Sequence, residues 1–587
     1  MTSARSAIAV CFGLALKSLV MGSFMLCFAQ EPVPAALRNY VPVTTERLKN
    51  PEDGNWLMNR RTYDGWGYSP LNQITADNVA RLRPVWVFST NDGKPHESAP
   101  LVNNGVMFVT SPANQVLAID VKSGNLLWRY KPSRPEGSSS VIFNDTNRGV
   151  ALYEDRVYYA LPEAVLVALN AKTGKELWRT TIADYKTGYY VTLAPMVADG
   201  KLMVGASGGE SGIRGFIAAF SLDTGKELWR TFTIPAPGEP GSETWPKGGD
   251  QWKHGGTPIW VTGNYDPETN LAYWGTGNPG PYIGDQRTGD DLYSCSTLVI
   301  DVATGKIKGY FQYNPNDSWD WDEVSPPILV DYQRNGQTIK GLIDVGRDGY
   351  IWYLERTTQG PIRFHEAKPF VKQNVFKSID PKTGRAEVDP NHKPETGKMA
   401  EFCPGWWGGK NWIPVSFSPQ TRMIYVPANE NVCGAGIGLP DVTYTPGKAF
   451  EGAKFQFLVT PGADHIGEVQ AWNIDTGQRV WTHTYPRSSN WGGMLATASG
   501  LVFNGGTTDR KIHAFDARTG KLLWEFPTNS GIIAPPTTFL VDGKQYLAVY
   551  SGYGGDAAGM QGGLNRALPG EFPEVPQGGA VWVFALE

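Results

Sequence analysis

One phrase recurs along the 587-residue chain: AIDVKSGNLLW at 118–128, ALNAKTGKELW at 168–178, AFSLDTGKELW at 219–229, AWNIDTGQRVW at 471–481 and AFDARTGKLLW at 514–524. Each copy has an alternating apolar run, a polar turn ending in a glycine free to take positive φ, and a return run closed by tryptophan, which is the pattern of a β-hairpin. Adjacent terminal tryptophans stand 50, 51 and 43 residues apart, the size of one four-stranded propeller blade. A degenerate copy, VIDVATGKIKG at 299–309, carries Gly309 where the tryptophan belongs, and between 310 and 470 the pattern fades into insertions. At this spacing the chain accommodates about eight blades. The expected fold is all-β, an eight-bladed β-propeller whose single domain spans 30–587. Its ring closes where WVFST, beginning at Trp86, shares a blade with the C-terminal VWVFALE, because a propeller must pair its last edge. The repeat tryptophans read as packing between blades and carry no chemistry.

Composition agrees: 68 glycines, 43 prolines and 21 tryptophans suit turn-rich β structure. A net charge of −4 without a long basic run argues against nucleic-acid or polybasic membrane partners. At the N-terminus, Arg5 and Lys17 precede the apolar SLVMGSFMLCFA, which ends at Ala29, so residues 1–29 read as a cleaved secretory signal and the mature protein as soluble and exported. No other stretch approaches the roughly 20 apolar residues of a membrane span. Cys11 and Cys27 leave with the signal, and Cys295, Cys403 and Cys433 remain. There is no CxxCH for covalent haem. The seven histidines lack zinc spacing, which points any metal site towards oxygen ligands.

NPNDSWDWDEVS at 314–325 alternates carboxylates with indoles, a poor composition for a plain exposed loop. Further motifs are HESAPL at 96–101, NRG at 147–149, SGGESGIRG at 207–215, GTGNP at 275–279, RDGYIWYLER at 347–356, GGKNW at 408–412 and WGG at 491–493. Together with the hairpin phrase, which is similar to their tryptophan-docking motif, these resemble the quinoprotein alcohol dehydrogenases, periplasmic eight-bladed enzymes that use pyrroloquinoline quinone (PQQ). The resemblance covers nearly all of the chain after the signal. It implies Glu210, Asn278 and Asp320 as oxygen ligands of one hard cation. Singly each is weak, an Asn after Thr-Gly being most often a turn residue. For PQQ it implies Glu97, Arg148, Thr192, Ser207, Gly208, Gly209, Asn411 and Trp491 around the rim, Trp260 stacked on the ring, and Arg347 beside the reactive carbonyl. Core packing is the competing reading for Trp491, turn geometry for the glycines, and a surface strand-end position for Arg347.

The implied mechanism makes the cation a Lewis acid on the quinone and Asp320 the general base for the alcohol proton while hydride passes to PQQ. Electrons then go to a separate periplasmic cytochrome c. The resemblance also implies a Cys403–Cys433 disulfide, leaving Cys295 as an odd buried thiol. Two positions depart from the family. Ile142 and Phe143 stand where many relatives carry a vicinal disulfide against PQQ. Asp322 stands where the lanthanide-dependent branch has an acid and calcium enzymes a small or neutral residue, which favours lanthanide(III) over Ca²⁺. The segment 433–460 is expected to arch over the entrance, with a larger primary or secondary alcohol, polycyclic ones included, as substrate. Monomer and homodimer both remain open. A non-catalytic envelope propeller is the alternative, keeping the tryptophans without needing Glu210, Asn278 and Asp320; a hydrolase or lyase lacks any supporting Ser-His-Asp phrase or histidine cluster.

Overall fold

The computed structural model describes residues 33–112, 114–142 and 145–587, and within them Pro34–Glu587 form one compact unit. The expected signal, 1–29, lies outside the described residues, as does Phe143. Among the described residues no helix is long and apolar enough to cross a membrane.

Among the described residues, seven four-stranded sheets and one of five strands make up a β-propeller. Most are simple antiparallel meanders, such as Leu101–Asn103, Val106–Ser111, Gln115–Asp120 and Leu126–Tyr130 in that order. Burial falls from the first strand to the last. Met196–Ala198 is buried throughout, whereas Glu227–Phe232, the last strand of the same sheet, exposes Glu227, Leu228 and Phe232. The fifth strand is Tyr68–Ser69, which pairs in parallel with Met494–Thr497.

The recurring phrase does its work between sheets. Trp86, Trp128, Trp178, Trp229 and Trp481 donate their indole N–H to the carbonyls of Val121, Ala171, Leu222, Val302 and Ala517 on the following sheet, over 2.8–3.1 Å. The same rings lie on that sheet's turn glycine. A Cβ added at Gly124, Gly174, Gly225, Gly305 or Gly520 would stand 2.5–2.8 Å from the indole, and all five glycines have φ between +68° and +76°. Glycine is therefore required twice, by the backbone and by the tryptophan. Gly309 also has a reason: a Cβ there would collide with the Gly360 carbonyl.

The ring closes between its two ends. Leu82–Ser89 pairs antiparallel with Ala580–Leu586, which on its other side pairs with Lys544–Ser551. The insertions that blurred the repeat form small sheets of their own apart from the propeller sheets. A three-stranded sheet of Ala400–Phe402, Val432–Gly438 and Ala453–Val459 is tied by the Cys403–Cys433 disulfide. Helix Gly555–Ala567, inserted in the closing sheet, sets Met560 and Leu564 beside Phe457 of that insertion in one buried cluster.

Candidate active site

In the 314–325 loop the indoles face inward. Trp319 and Trp321 are fully buried and stacked, with centroids 5.1 Å apart, and donate to the carbonyls of His392 and Gly405. The Asp317 carboxylate accepts the backbone N–H groups of Trp319, Asp320 and Trp321 at 3.1–3.4 Å, holding the loop from beneath. Asp320 adopts φ +62°, a left-handed conformation that an aspartate tolerates at modest cost. With the tryptophans anchored, Asp320 and Asp322 both line a cavity of about 300 Å³.

Ten of the residues expected from sequence line that cavity: Arg148, Thr192, Ser207, Gly208, Glu210, Trp260, Asn278, Asp320, Asp322 and Arg347. The Asp320 carboxylate makes no hydrogen bond with a described residue, and Arg347 Nη1 lies 4.0 Å from its Oδ2 while donating to its backbone carbonyl at 2.8 Å. Burial, reinforced by the Asp322 charge, raises its pKa well above the ordinary carboxylate range, against the pull of Arg347. Asp322 is bound on both oxygens, Oδ1 accepting the Asn278 N–H at 2.7 Å and Oδ2 standing 3.2 Å from Arg347 Nη2. Asn278 donates its amide N–H₂ to the Pro279 carbonyl at 3.4 Å. Glu210 accepts the Tyr190 hydroxyl at 2.5 Å, and burial pushes its pKa up to about 7.

Among the described residues no three acidic, histidine or cysteine side chains converge as a ready-made metal cage. The donor chemistry nevertheless fits a hard cation. Three carboxylates and a carboxamide surround one cavity, and the Asp322 charge adds to burial in raising the pKa of both Glu210 and Asp320, which a multivalent ion would reverse. Glu210, Asn278 and Asp320 contribute the oxygen donors that such an ion would need. Asp322 would have to share its carboxylate with Arg347.

A continuous polar rim runs beside them. Glu97 Oε2 is 2.8 Å from Arg148 Nη2, and Arg148 Nη1 donates to Thr192 Oγ1 at 2.5 Å, which is 3.2 Å from Ser207 Oγ. The Arg148 guanidinium lies 4.8 Å from the Trp260 ring and 4.3 Å from that of Trp412. Gly208 has φ +117°, and a Cβ on it would meet the Gly188 carbonyl, so the SGGE turn demands glycine there. Four expected residues stand behind the wall. Gly209 packs on Pro258, and Glu97 acts on the cavity through Arg148. Asn411 accepts from Arg347 Nη2 at 3.3 Å and donates to the Trp407 carbonyl. Trp491 donates to Met560 Sδ and meets Trp407 edge-on at 5.9 Å. Ile142 is buried.

The wall also contains residues that sequence reading passed over: Tyr282, Trp406, Trp407, Glu451, Phe455 and Asp556. The tryptophan doublet stands between Cys403 and the GGKNW motif, a position that could have flagged it. Glu451 and Phe455 come from the 433–460 insertion, which does reach over the site. Its tip is pinned by Tyr444 stacked on His254, with centroids 4.2 Å apart, by Phe450 N–H donating to the Glu210 carbonyl, and by Tyr282 N–H donating to the Glu451 carbonyl, both at 2.7 Å. Asp556, in the first turn of Gly555–Ala567, had no signal beyond its glycine-rich flank.

Residues 56–378 and 484–547 match the PQQ family model described as "Glucose/ethanol/alcohol dehydrogenase, beta-propeller domain". The chain is 37% identical to the quinoprotein alcohol dehydrogenase PedH of Pseudomonas putida, over 97% of this chain and 96% of that protein. It is also 37% identical to the lanthanide-dependent methanol dehydrogenase of Methylacidiphilum fumariolicum, over 91% and 93% respectively. Among solved structures, a europium-containing methanol dehydrogenase superposes with a TM-score of 0.86 at 36% identity, covering 92% of this chain and 99% of that one. The chain thus belongs to the PQQ-dependent quinoprotein alcohol dehydrogenases, enzymes of alcohol oxidation.

Proposed function

We propose that the protein is a periplasmic alcohol dehydrogenase in which Asp320 is the general base, Glu210, Asn278, Asp320 and Asp322 hold a lanthanide(III) ion in preference to Ca²⁺, and electrons leave to a separate cytochrome c. The observation that carries the catalytic assignment is the Asp320 carboxylate itself: lining the cavity, nine-tenths buried, without a hydrogen-bond partner among the described residues and beside Arg347. When bound, PQQ supplies a two-electron acceptor and the cation a Lewis acid for its carbonyl. Asp320 takes the proton from the alcohol hydroxyl as the carbonyl product forms. Arg347, held by the Glu323 carboxylate at its backbone N–H and by Asn411 at its guanidinium, keeps a fixed positive charge next to that base. Arg148, Thr192, Ser207 and Trp260 make the rim and floor of the cofactor slot, Glu97 holds Arg148 from behind, and Gly208 gives the close backbone approach with Gly209 packed behind it on Pro258. Trp491 supports the floor through Trp407. Basic residues ahead of an apolar N-terminal run support export, and the lack of a CxxCH supports a separate acceptor.

Reconstitution with PQQ and metal, followed by dye reduction over a panel of alcohols, tests the reading. Asp320→Asn is expected to lower kcat by about 10²–10⁴-fold, with quinone absorbance still carried by the protein; near-wild-type kcat in that variant would remove Asp320 as the base. For the ion, apoprotein with PQQ is expected to recover more activity with La³⁺ than with Ca²⁺. Asp322→Ala is expected to lose that preference, since it removes one negative oxygen ligand. Equal recovery by the wild-type protein with both ions sinks the lanthanide assignment.

A further inference from the structure

The cavity carries two carboxylates that neither the base nor the cation set uses, Glu451 and Asp556. Neither side chain makes a hydrogen bond or ion pair with a described residue. Asp556 lies within the fields of Arg148 and Arg347, which draw its pKa down against the effect of burial. Both of those guanidiniums are already committed, Arg148 to Glu97 at 2.8 Å and Arg347 to Asp322 at 3.2 Å. Glu451 has no such company. Its charge bears on Glu210 and Asp320, and among the described residues no lysine or arginine pairs with it. A carboxylate sunk into a cavity wall without a counter-charge costs free energy unless something arrives to pair with it.

Aromatic rings line the same cavity. Glu451, Ala453 and Phe455 alternate along the chain and all line the cavity, while Lys454 and Gln456 point to solvent. Phe455 stacks on Trp406, with centroids 5.4 Å apart and planes 14° from parallel, and Trp406 packs on Trp407 at 4.5 Å. Tyr282, whose N–H holds the Glu451 carbonyl, completes that side of the wall. Aromatic faces beside an unpaired carboxylate make a binding surface for an organic cation, above all a methylated ammonium, which cannot hydrogen-bond and is recognised by charge and ring quadrupole.

We propose that the substrate suited to this cavity is a cationic alcohol, a short amino alcohol whose methylated ammonium head sits between the Glu451 carboxylate and the Trp406–Phe455 rings while its carbinol faces Asp320. This rests on the alcohol dehydrogenase reading of the same cavity. The chemistry is unchanged by the charge: the hydroxyl proton goes to Asp320, the carbinol C–H bond breaks with its electron pair passing to the quinone acceptor, a C=O bond forms, and the ammonium is untouched. Asp556 adds negative potential without contacting the head.

Choline and 3,3-dimethylbutan-1-ol, equal in shape and different in charge, are the probes. With holoenzyme, kcat/KM for choline is expected to exceed that for the neutral isostere about tenfold or more. The difference should lie in KM, since the head is remote from the reacting carbon. In Glu451→Gln the ratio is expected to fall towards one, and Phe455→Leu, a second variant, should lower it too. Independently of turnover, tetramethylammonium chloride should quench tryptophan fluorescence saturably in the wild-type protein, beyond a sodium chloride control, and not in Glu451→Gln. A wild-type ratio of one or below, with both alcohols oxidised, overturns the proposal and leaves the dehydrogenase reading standing. Dye reduction by neither probe nor by ethanol overturns both.

Discussion

His96 stands one residue before Glu97, and its ring fills space left by Gly552 and Gly579, where any Cβ would collide with it. Its Nδ1 donates to the Lys94 carbonyl at 2.7 Å and its Nε2 lies 2.9 Å from Thr90 Oγ1. Burial lowers its pKa to about 4, so the folded ring is neutral at working pH. The unfolded chain takes up a proton near pH 6.5, whereas the folded chain does not until about pH 4. Stability therefore falls as pH falls through that window, by on the order of 3 kcal/mol for this group alone. Raised carboxylates such as Asp317, at about 6, act in the opposite sense, so the measurement must be a difference between two proteins. Thermal or urea unfolding of wild-type and His96→Gln at pH 7 and pH 4.5 is expected to show the wild type losing more stability than the variant. Parallel losses would mean that His96 is not held neutral. The HESAPL motif was legible for Glu97, but the anchoring of His96 beside it was not, because its partners at 552 and 579 lie at the far end of the chain.

Among the elements, the docking pairs show why the repeat could be read at all. Each is one tryptophan and the turn glycine of the next copy of the same phrase, so packing between sheets is written into a phrase short enough to recognise. Trp128 on Gly174 is the clearest case. Trp128→Ala is expected to cost about 3–5 kcal/mol, as for other buried large-to-small changes. Gly174→Ala should also destabilise, from φ +68° and from a Cβ 2.6 Å from the indole. With the ring removed only the backbone strain remains, so the double variant is expected to lose less than the sum of the singles by more than about 1 kcal/mol. Strict additivity in denaturant unfolding would show that the two do not pack as a unit. The inserted hairpin Val432–Gly438 and Ala453–Val459 has no such internal partner. Its cavity residues, Glu451 and Phe455, face Tyr282 and Trp406 from distant stretches of chain, and no spacing rule announces contacts of that kind.

For the whole molecule, the decisive event is closure. Ala580–Leu586 lies between Leu82–Ser89 and Lys544–Ser551, joining a strand that follows the N-terminal segment to the chain's end. It was predictable because two alternating apolar runs stood unpaired at opposite ends of a ring-forming repeat. The geometry of the site was less so: the ring sets its residues side by side only after every sheet is in place, drawing Glu210, Asn278, Asp320 and Arg347 from three different sheets and their connections. Val581, Val583 and Phe584 are fully buried, and at about 2 kcal/mol each their burial contributes roughly 6 kcal/mol, comparable with the whole stability of many domains. Removing residues 580–587 also strips backbone partners from both flanking strands. The shortened protein is therefore expected to lose cooperative unfolding and to elute as aggregate, with the site lost along with the closing sheet. Far-UV circular dichroism with temperature and size-exclusion chromatography read this directly. A soluble monomer melting within a few degrees of the full-length chain would show that the remaining sheets hold the ring without their clasp, and that site geometry does not depend on closure.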